Sequence, residues 1–239
     1  MPDDFSSVLK ININSDVDIE VVDLDELEVT HFVDKLSPAE LNRVSRISFD
    51  KHRNRYIVAR GLLRQFLGDR LHVRPNSVMF EYGKYGKPML DRQLSLPNFY
   101  FNLSHHENVA VFAFSSVCEV GVDIEAVRDI RDADDVAARM FSIREFESYC
   151  NLPRESRSTG FFNCWTRKEA FVKAIGAGLD YPLDSFDVSL NPGEPAEILA
   201  IRNKTDASRA WKLDSFDISP NYVACLASFS TSKFSRYWK

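Results

Sequence analysis

Hydrophobic positions along this chain switch between a period of two and a period near 3.6, and the switches mark its elements. Residues 8–24 alternate apolar and polar positions and predict an edge strand. Leu36-Ser37-Pro38-Ala39-Glu40 predicts a helix start, with Ser37 as N-cap, Pro38 at the first helical position and Glu40 completing a capping box. A second helix is predicted from about 51 to 71, where Tyr56, Ala59, Leu63, Phe66 and Leu67 mark one buried face. The stretch from Glu81 to Pro88, with two glycines and two lysines, predicts a turn-rich loop. Strands follow at about 98–104 and 109–115, joined through Ser104-His105-His106-Glu107-Asn108, and another spans 118–125.

The second half repeats this plan loosely. Helices are predicted at about 133–140, 142–150 and 158–177, then strands at about 184–190, 196–201, 210–217 and 221–228, with a turn at Asn191 to Pro195. Strand, helices and an antiparallel run, twice over, predict an α+β fold of two similar, pseudo-symmetric halves. We place them at residues 1–117 and 118–239, each an antiparallel sheet packed with helices, with an active-site cleft between them. No residue-level repeat proves a duplication.

Composition narrows the classes. The chain has 239 residues, 44% hydrophobic and 27% charged, ordinary for a soluble globular protein. Its net charge of -5 argues against bulk electrostatic binding of nucleic acid. Charge is uneven, however: Arg43, Arg46, Lys51, Arg53, Arg55, Arg60, Arg64, Arg70 and Arg74 are opposed between residues 41 and 74 only by Asp50 and Asp69. Such a segment is either a solvated helix face or a local anion site. Cys118, Cys150, Cys164 and Cys225 show no metal-ligand spacing and read as reduced thiols of a cytosolic protein. The stretch MPDDFSSVLK lacks the apolar region of a signal peptide, and no apolar run approaches the ~20 residues of a membrane span, so a cytoplasmic location without a membrane partner is expected.

Two segments carry the chemistry. In Gly121-Val122-Asp123-Ile124-Glu125, strand alternation sends Val120, Val122 and Ile124 into a core and sets Asp123 and Glu125 side by side on the other face. Adjacent carboxylates repel unless a cation or donor compensates, and oxygen-only ligands suit Mg²⁺. Taken alone, this strand is equally an exposed face with two surface acids. In the helix at 158–177, Phe161, Trp165, Val172 and Ile175 form an apolar stripe, while Glu169 and Lys173 lie one turn apart on a neighbouring stripe. That pair is either an ordinary i, i+4 ion pair or part of a site. Lys168 falls within the apolar stripe, where it either snorkels or reaches a cleft. The glycines at 176 and 178 signal the helix end. His105 closes a strand at the mouth of the same sheet, where it is either a surface residue or a donor to phosphate, and Lys84 and Lys87 sit in a glycine-rich loop that is either a hydrated hairpin tip or an anion cradle.

In this order, Gly86-Lys87-Pro88, Phe101-Asn102-Leu103-Ser104-His105, Gly121 to Glu125 and Trp165-x-x-Lys168-Glu169-x-x-x-Lys173 resemble the motifs of the 4′-phosphopantetheinyl transferase superfamily. The likeness is greatest to its two-halved, surfactin-synthetase-type branch and to cyanobacterial-like members, and it spans roughly residues 36–228. The resemblance implies a monomeric enzyme that moves 4′-phosphopantetheine from coenzyme A to a serine of an apo acyl- or peptidyl-carrier protein, releasing adenosine 3′,5′-bisphosphate. It implies that Asp123, Glu125 and Glu169 hold Mg²⁺, or Mn²⁺ in its place, against the coenzyme A pyrophosphate. Glu169 would be the base and Lys173 would stabilise the leaving bisphosphate; Asp123 joins them as a catalytic residue. Lys168 and His105 would contact pyrophosphate oxygens, Asn102 and Ser104 would shape that loop, and Gly86 and Lys87 would lie along the nucleotide. Arg43, Lys51, Arg55 and Arg60 are the candidates for the 3′-phosphate. The chain departs from the pattern at His106, where a small residue often follows Ser-His, and at Glu40, where some relatives carry a base. The competing readings are another Mg²⁺-dependent enzyme that cleaves a nucleotide pyrophosphate with water, and a non-catalytic coenzyme A-binding module.

Overall fold

Two antiparallel sheets stacked face to face, each covered on its outer side by one long helix, make up the architecture. The computed structural model describes residues 8–14, 16–91, 99–202, 210–219 and 221–230. The first seven residues of MPDDFSSVLK, residue 15 of the strand expected over 8–24, the first residue of the strand expected from 98, and residues 231–239 of the second half lie outside the described residues.

The first sheet holds β1 (Val8–Asn14), β2 (Val17–Asp23), β6 (Val109–Ser115) and β5 (Tyr100–His106), in the order β1-β2-β6-β5. The single edge strand expected over 8–24 is therefore a hairpin. Alternation continues across both arms and does not reveal the reversal near Asp16. β2 is interior, paired to β1 on one side and β6 on the other, so of the two arms β1 is the edge strand. The second sheet runs β10 (Trp211–Ser219), β11 (Tyr222–Phe229), β7 (Val120–Ala126). Two small hairpins complete the strands among the described residues: β3 (Phe80–Tyr82) with β4 (Pro88–Leu90), and β8 (Phe186–Val188) with β9 (Ile198–Ile201).

α1 (Pro38–Val44) begins with the expected capping box: the Ser37 hydroxyl accepts from the Glu40 N–H, and the Glu40 carboxylate accepts from the Ser37 N–H. α2 (Asp50–Leu71) lies on the first sheet, where Leu62, Leu63 and Phe66 pack against Phe101, Phe112 and Phe114. α3 (Ala133–Met140) and α4 (Ile143–Cys150) lead to α5 (Arg157–Ile175), whose Phe171 and Val172 pack with Cys225 and Ala227 of the second sheet. α5 stops at Gly176, which takes φ 65°, the left-handed conformation a side chain resists.

Between the sheets lies a third core. Val17, Ile19, Val21, Val111 and Ala113 face Val120, Val122, Ile124, Ala224 and Leu226. The two-residue period explains the arrangement, because alternate residues of β2, β6, β7 and β11 feed this core and the rest feed the helices. β5 ends one sheet and β7 ends the other, and they meet: the Val122 N–H donates to Asn102 Oδ1 at 2.9 Å. A backbone donor on an otherwise unpaired sheet edge is thus satisfied by a side chain from the facing sheet.

Candidate active site

The meeting of β5, β7 and α5 brings the chemical groups together. Val120, Val122 and Ile124 occupy the inter-sheet core, so Gly121, Asp123 and Glu125 turn to the other face of β7, as the alternation predicts. On β5 the same rule turns Asn102, Ser104 and His106 toward β7, opposite to the core residues Phe101 and Leu103. The Ser104 hydroxyl donates to Asp123 Oδ1 at 3.0 Å. From α5, the Lys173 ammonium reaches both groups, 2.5 Å from Asp123 Oδ1 and 2.9 Å from Ser104 Oγ. Asp123 and Ser104 are both buried, at 5% and 7% exposure.

Two buried carboxylate oxygens at this junction, Asp123 Oδ2 and Glu169 Oε1, have no hydrogen-bond donor among the described residues. Leaving a buried acceptor unmade costs about 1–3 kcal/mol, and more when it is charged. Burial raises the pKa of Glu169, and the negative charges of Asp123 and Glu125 raise it further against the opposing pull of Lys173. Both features are what a hard, oxygen-seeking cation would relieve. The donor set therefore fits a divalent ion at Asp123 and Glu169. Glu125 is placed differently: its Oε2 lies 2.7 Å from His106 Nδ1 and 3.3 Å from Arg128 Nη1. Among the described residues no group of three His, Cys, Asp or Glu side chains is gathered tightly enough to hold a metal.

A cleft of about 300 Å³ opens beside these groups, lined by Tyr85, Gly86, Lys87, Asn102, Glu169 and Lys173 among others. One wall comes from β5 and the β3–β4 hairpin, the other from α5. Gly86, at φ 82°, makes the hairpin turn, and Tyr85 at its tip packs against Gly178 beyond the end of α5. Lys87 pins the hairpin down: its ammonium donates to Ala174 O at 2.8 Å and Val120 O at 3.2 Å and pairs with Glu119 at 3.1 Å. Burial lowers the Lys87 pKa although Glu119 opposes the shift.

The chain is similar to known proteins along most of its length. Residues 119–227 match the family model of the 4′-phosphopantetheinyl transferase superfamily, and residues 25–117 match that of the 4′-phosphopantetheinyl transferase N-terminal region. The chain is 35% identical over 217 residues to the 4′-phosphopantetheinyl transferase HetI of Nostoc sp., a match covering 91% of this chain and 88% of that protein. The chain belongs to the 4′-phosphopantetheinyl transferase superfamily. It is also 27% identical over 199 residues to the 4′-phosphopantetheinyl transferase Sfp of Bacillus subtilis, covering 83% of this chain and 84% of that one. The human L-aminoadipate-semialdehyde dehydrogenase-phosphopantetheinyl transferase is 29% identical over 168 residues, covering 67% of this chain and 54% of its own length.

Within this member of the superfamily, the structure gathers Asp123, Glu169, Lys173, Ser104, Asn102, Gly86 and Lys87 around one cleft. It places other expected residues elsewhere. Lys168 does not face the cleft. It is fully buried, and its ammonium donates to Leu183 O at 2.6 Å and Phe186 O at 2.7 Å and pairs with Glu145 at 2.7 Å. The lysine in the apolar stripe is thus a buried structural cation, because two carbonyls and a carboxylate replace the water it gives up. His105 is exposed and belongs to the strand face opposite Ser104, beside the alternate positions Phe101 and Leu103.

Two of the four candidate 3′-phosphate cations are held in close, hydrogen-bonded ion pairs. Arg55 grips both oxygens of Asp25, at 2.7 and 2.5 Å. Arg60 lies 2.7 Å from Glu40, which also holds Arg64. Arg43 is exposed with its guanidinium 5.2 Å from the Tyr56 ring centre, and Lys51 is exposed 3.8 Å from Asp25. Both departures from the family pattern therefore have a structural counterpart: Glu40 engages two arginines, and His106 pairs with Glu125. The direct bond from Ser104 to Asp123, the His106–Glu125 pair and Arg128 were not singled out from sequence. The signal for the first two was present in the alternation of Asn102, Ser104 and His106.

Proposed function

We propose that this protein transfers the 4′-phosphopantetheine arm of coenzyme A to a serine hydroxyl of an apo acyl- or peptidyl-carrier protein, acting in the cytoplasm as a monomer. The observation that carries the reading is the pair of buried, donor-free carboxylate oxygens of Asp123 and Glu169 beside Lys173 at the cleft between the sheets. Asp123 and Glu169, with Glu125 one strand pleat away, would hold Mg²⁺ or Mn²⁺. When bound, the ion would neutralise pyrophosphate charge and polarise the phosphorus centre under attack.

The chain's own groups supply the rest. Glu169 accepts the proton of the carrier serine as its oxygen bonds to the β-phosphorus of coenzyme A. Burial and the neighbouring charges of Asp123 and Glu125 raise its pKa, which makes it a stronger base than an ordinary carboxylate in the metal-free protein. The bond from that phosphorus to the bridging oxygen breaks, and adenosine 3′,5′-bisphosphate departs with the new negative charge. Lys173, tethered on α5 and partly exposed to the cleft, stabilises that charge. Gly86 and the Lys87-anchored hairpin form the wall along which the nucleotide lies, and Arg43 and Lys51 remain exposed for the 3′-phosphate or the acidic carrier surface.

The test is mass spectrometry of an apo carrier protein incubated with the enzyme, coenzyme A and Mg²⁺. The expected result is a mass gain of one phosphopantetheine arm together with free adenosine 3′,5′-bisphosphate. Bisphosphate released without a carrier would replace this reading with pyrophosphate hydrolysis. Coenzyme A binding without turnover on several carriers would replace it with a binding module.

A further inference from the structure

The Lys173 ammonium already occupies the carboxylate that the divalent ion needs. It sits 2.5 Å from Asp123 Oδ1, and the Ser104 hydroxyl closes the triangle by donating to that same oxygen and accepting from Lys173. Asp123 Oδ1 is therefore saturated by two donors while Oδ2 has none. An incoming dication at this carboxylate meets a positive charge within a few ångströms. Glu125, the third carboxylate, is drawn toward His106 and Arg128. Among the described residues no three ligands are gathered in metal-binding geometry.

The Lys173 side chain is 30% exposed and lines the cleft, unlike the fully enclosed Lys168 on the same helix. Its flexible four-carbon stem lets the ammonium swing without any movement of α5. Glu169 is one turn back on the same face and also lines the cleft. An anion entering there competes with Asp123 for the ammonium, and the charges of Asp123 and Glu169 then face each other unshielded.

We propose that Lys173 is a tethered counter-ion that latches Asp123 in the nucleotide-free protein, and that anionic nucleotide and divalent metal bind as a mutually reinforcing pair because the nucleotide draws this latch away. The inference rests on the proposed function for the identity of the anion, coenzyme A, but the latch itself is a property of the free chain. By linkage, whatever factor coenzyme A adds to metal affinity the metal adds to coenzyme A affinity. The consequence is a site that stays weakly metallated until its substrate arrives. A direct bridge from ion to pyrophosphate would also couple the two ligands, so the free protein is where the ideas differ. A latch weakens metal binding there, whereas a simple bridge leaves it untouched.

The experiment is Mn²⁺ binding, read by electron paramagnetic resonance of the free ion, with the full-length protein and its Lys173→Met variant, each with and without coenzyme A. Without nucleotide, Lys173→Met is expected to bind Mn²⁺ at least about fivefold more tightly, the lower end of ordinary coupling between sites. With saturating coenzyme A, the two proteins should converge to within about twofold, since Lys173 has then left Asp123. Equal affinities without nucleotide would overturn the latch. A difference that persists undiminished with coenzyme A would show plain charge repulsion and overturn the displacement. Asp123→Asn should abolish Mn²⁺ binding in either background; undiminished binding there would locate the ion elsewhere and also overturn the proposal. If coenzyme A binds neither protein, the proposed function fails, while the nucleotide-free comparison still decides the latch. Thermal melts of each variant establish that it is folded.

Discussion

A Cβ placed on Gly121 would fall 2.2 Å from the Ala170 carbonyl oxygen, so β7 and α5 touch backbone to backbone at this point. The same missing atom would lie 2.2 Å from Ala174 N. This contact sets the depth at which α5 rides on the strand, and with it the reach of Glu169 and Lys173 toward Asp123, two residues further along.

Gly121→Ala therefore has no flexible neighbour to displace; backbone must move. We expect a loss of at least about 1–3 kcal/mol, the ordinary range for overpacking. Carrier modification should fall by more than the folded fraction does, because the helix that carries the base is pushed away. Thermal denaturation together with turnover per folded molecule checks this. A variant with unchanged stability would contradict the close packing.

Much of the fold was legible because its signals are local. The Ser37–Glu40 capping box, the glycine stop at 176 and the alternation through β6 and β7 all depend on residues a few positions apart. The site was legible where alternation decides a face, as at Asp123. It was not legible where a partner comes from far along the chain. Arg55 meets Asp25 across thirty positions and Lys168 meets Glu145 across more than twenty, so neither spacing nor periodicity shows that these cations are engaged. The hairpin within 8–24 escaped because both arms share one alternation. His105 and His106 are neighbours in sequence but face opposite ways, and only the strand's extension to His106 shows which one meets the carboxylates.

Glu40 is a buried carboxylate on which two guanidinium groups converge, with Arg60 at 2.7 Å and Arg64 at 2.5 Å. Burial by itself would raise its pKa, but the Ser37 N–H and the two arginine charges outweigh it, and the net shift is downward. A carboxyl lowered in the folded state contributes stability above its unfolded value, about 4.3, and loses that contribution as pH falls through the folded value. Glu40→Gln should cost about 3–5 kcal/mol at pH 7, the range for removing one member of a buried ion pair. The melting temperatures of variant and parent should approach each other as pH drops below 4. A gap that stays constant with pH would contradict the charge-based account.

Lys168 and Glu145 test the reassignment of a residue once placed at the pyrophosphate. Lys168→Met leaves the Glu145 carboxylate buried beside Cys164 without its cation, and a loss of about 3–5 kcal/mol is expected. Adding Glu145→Gln should restore part of that loss, since no buried charge then lacks a partner. Coenzyme A affinity of the folded fraction, measured by calorimetry, should not change in either variant. A drop in affinity with stability intact would return Lys168 to the cleft.

Glu169 sets activity against stability. Its pKa is raised by burial and then by Asp123 and Glu125, so the folded state favours the protonated form more than the unfolded chain does. Linkage then gives the sign: the stabilisation is fully present below the unfolded value of about 4.3 and is lost as pH rises through the folded value. At pH 8 in a chelating buffer, the ionised carboxylate therefore destabilises the metal-free protein. Glu169→Gln keeps the shape, removes the charge and leaves Asp123 with less repulsion. We expect its melting temperature to exceed the parent's at pH 8 and the difference to vanish near pH 4. The same variant lacks the base and one metal oxygen, so turnover on an apo carrier should fall by about 10²–10⁴, the range for losing a general base. In the parent, turnover should decline at acid pH, because the carboxylate must be ionised to hold the ion and to accept the serine proton. A variant that is less stable at pH 8, or one that modifies its carrier at the parental rate, would remove Glu169 from the role assigned to it.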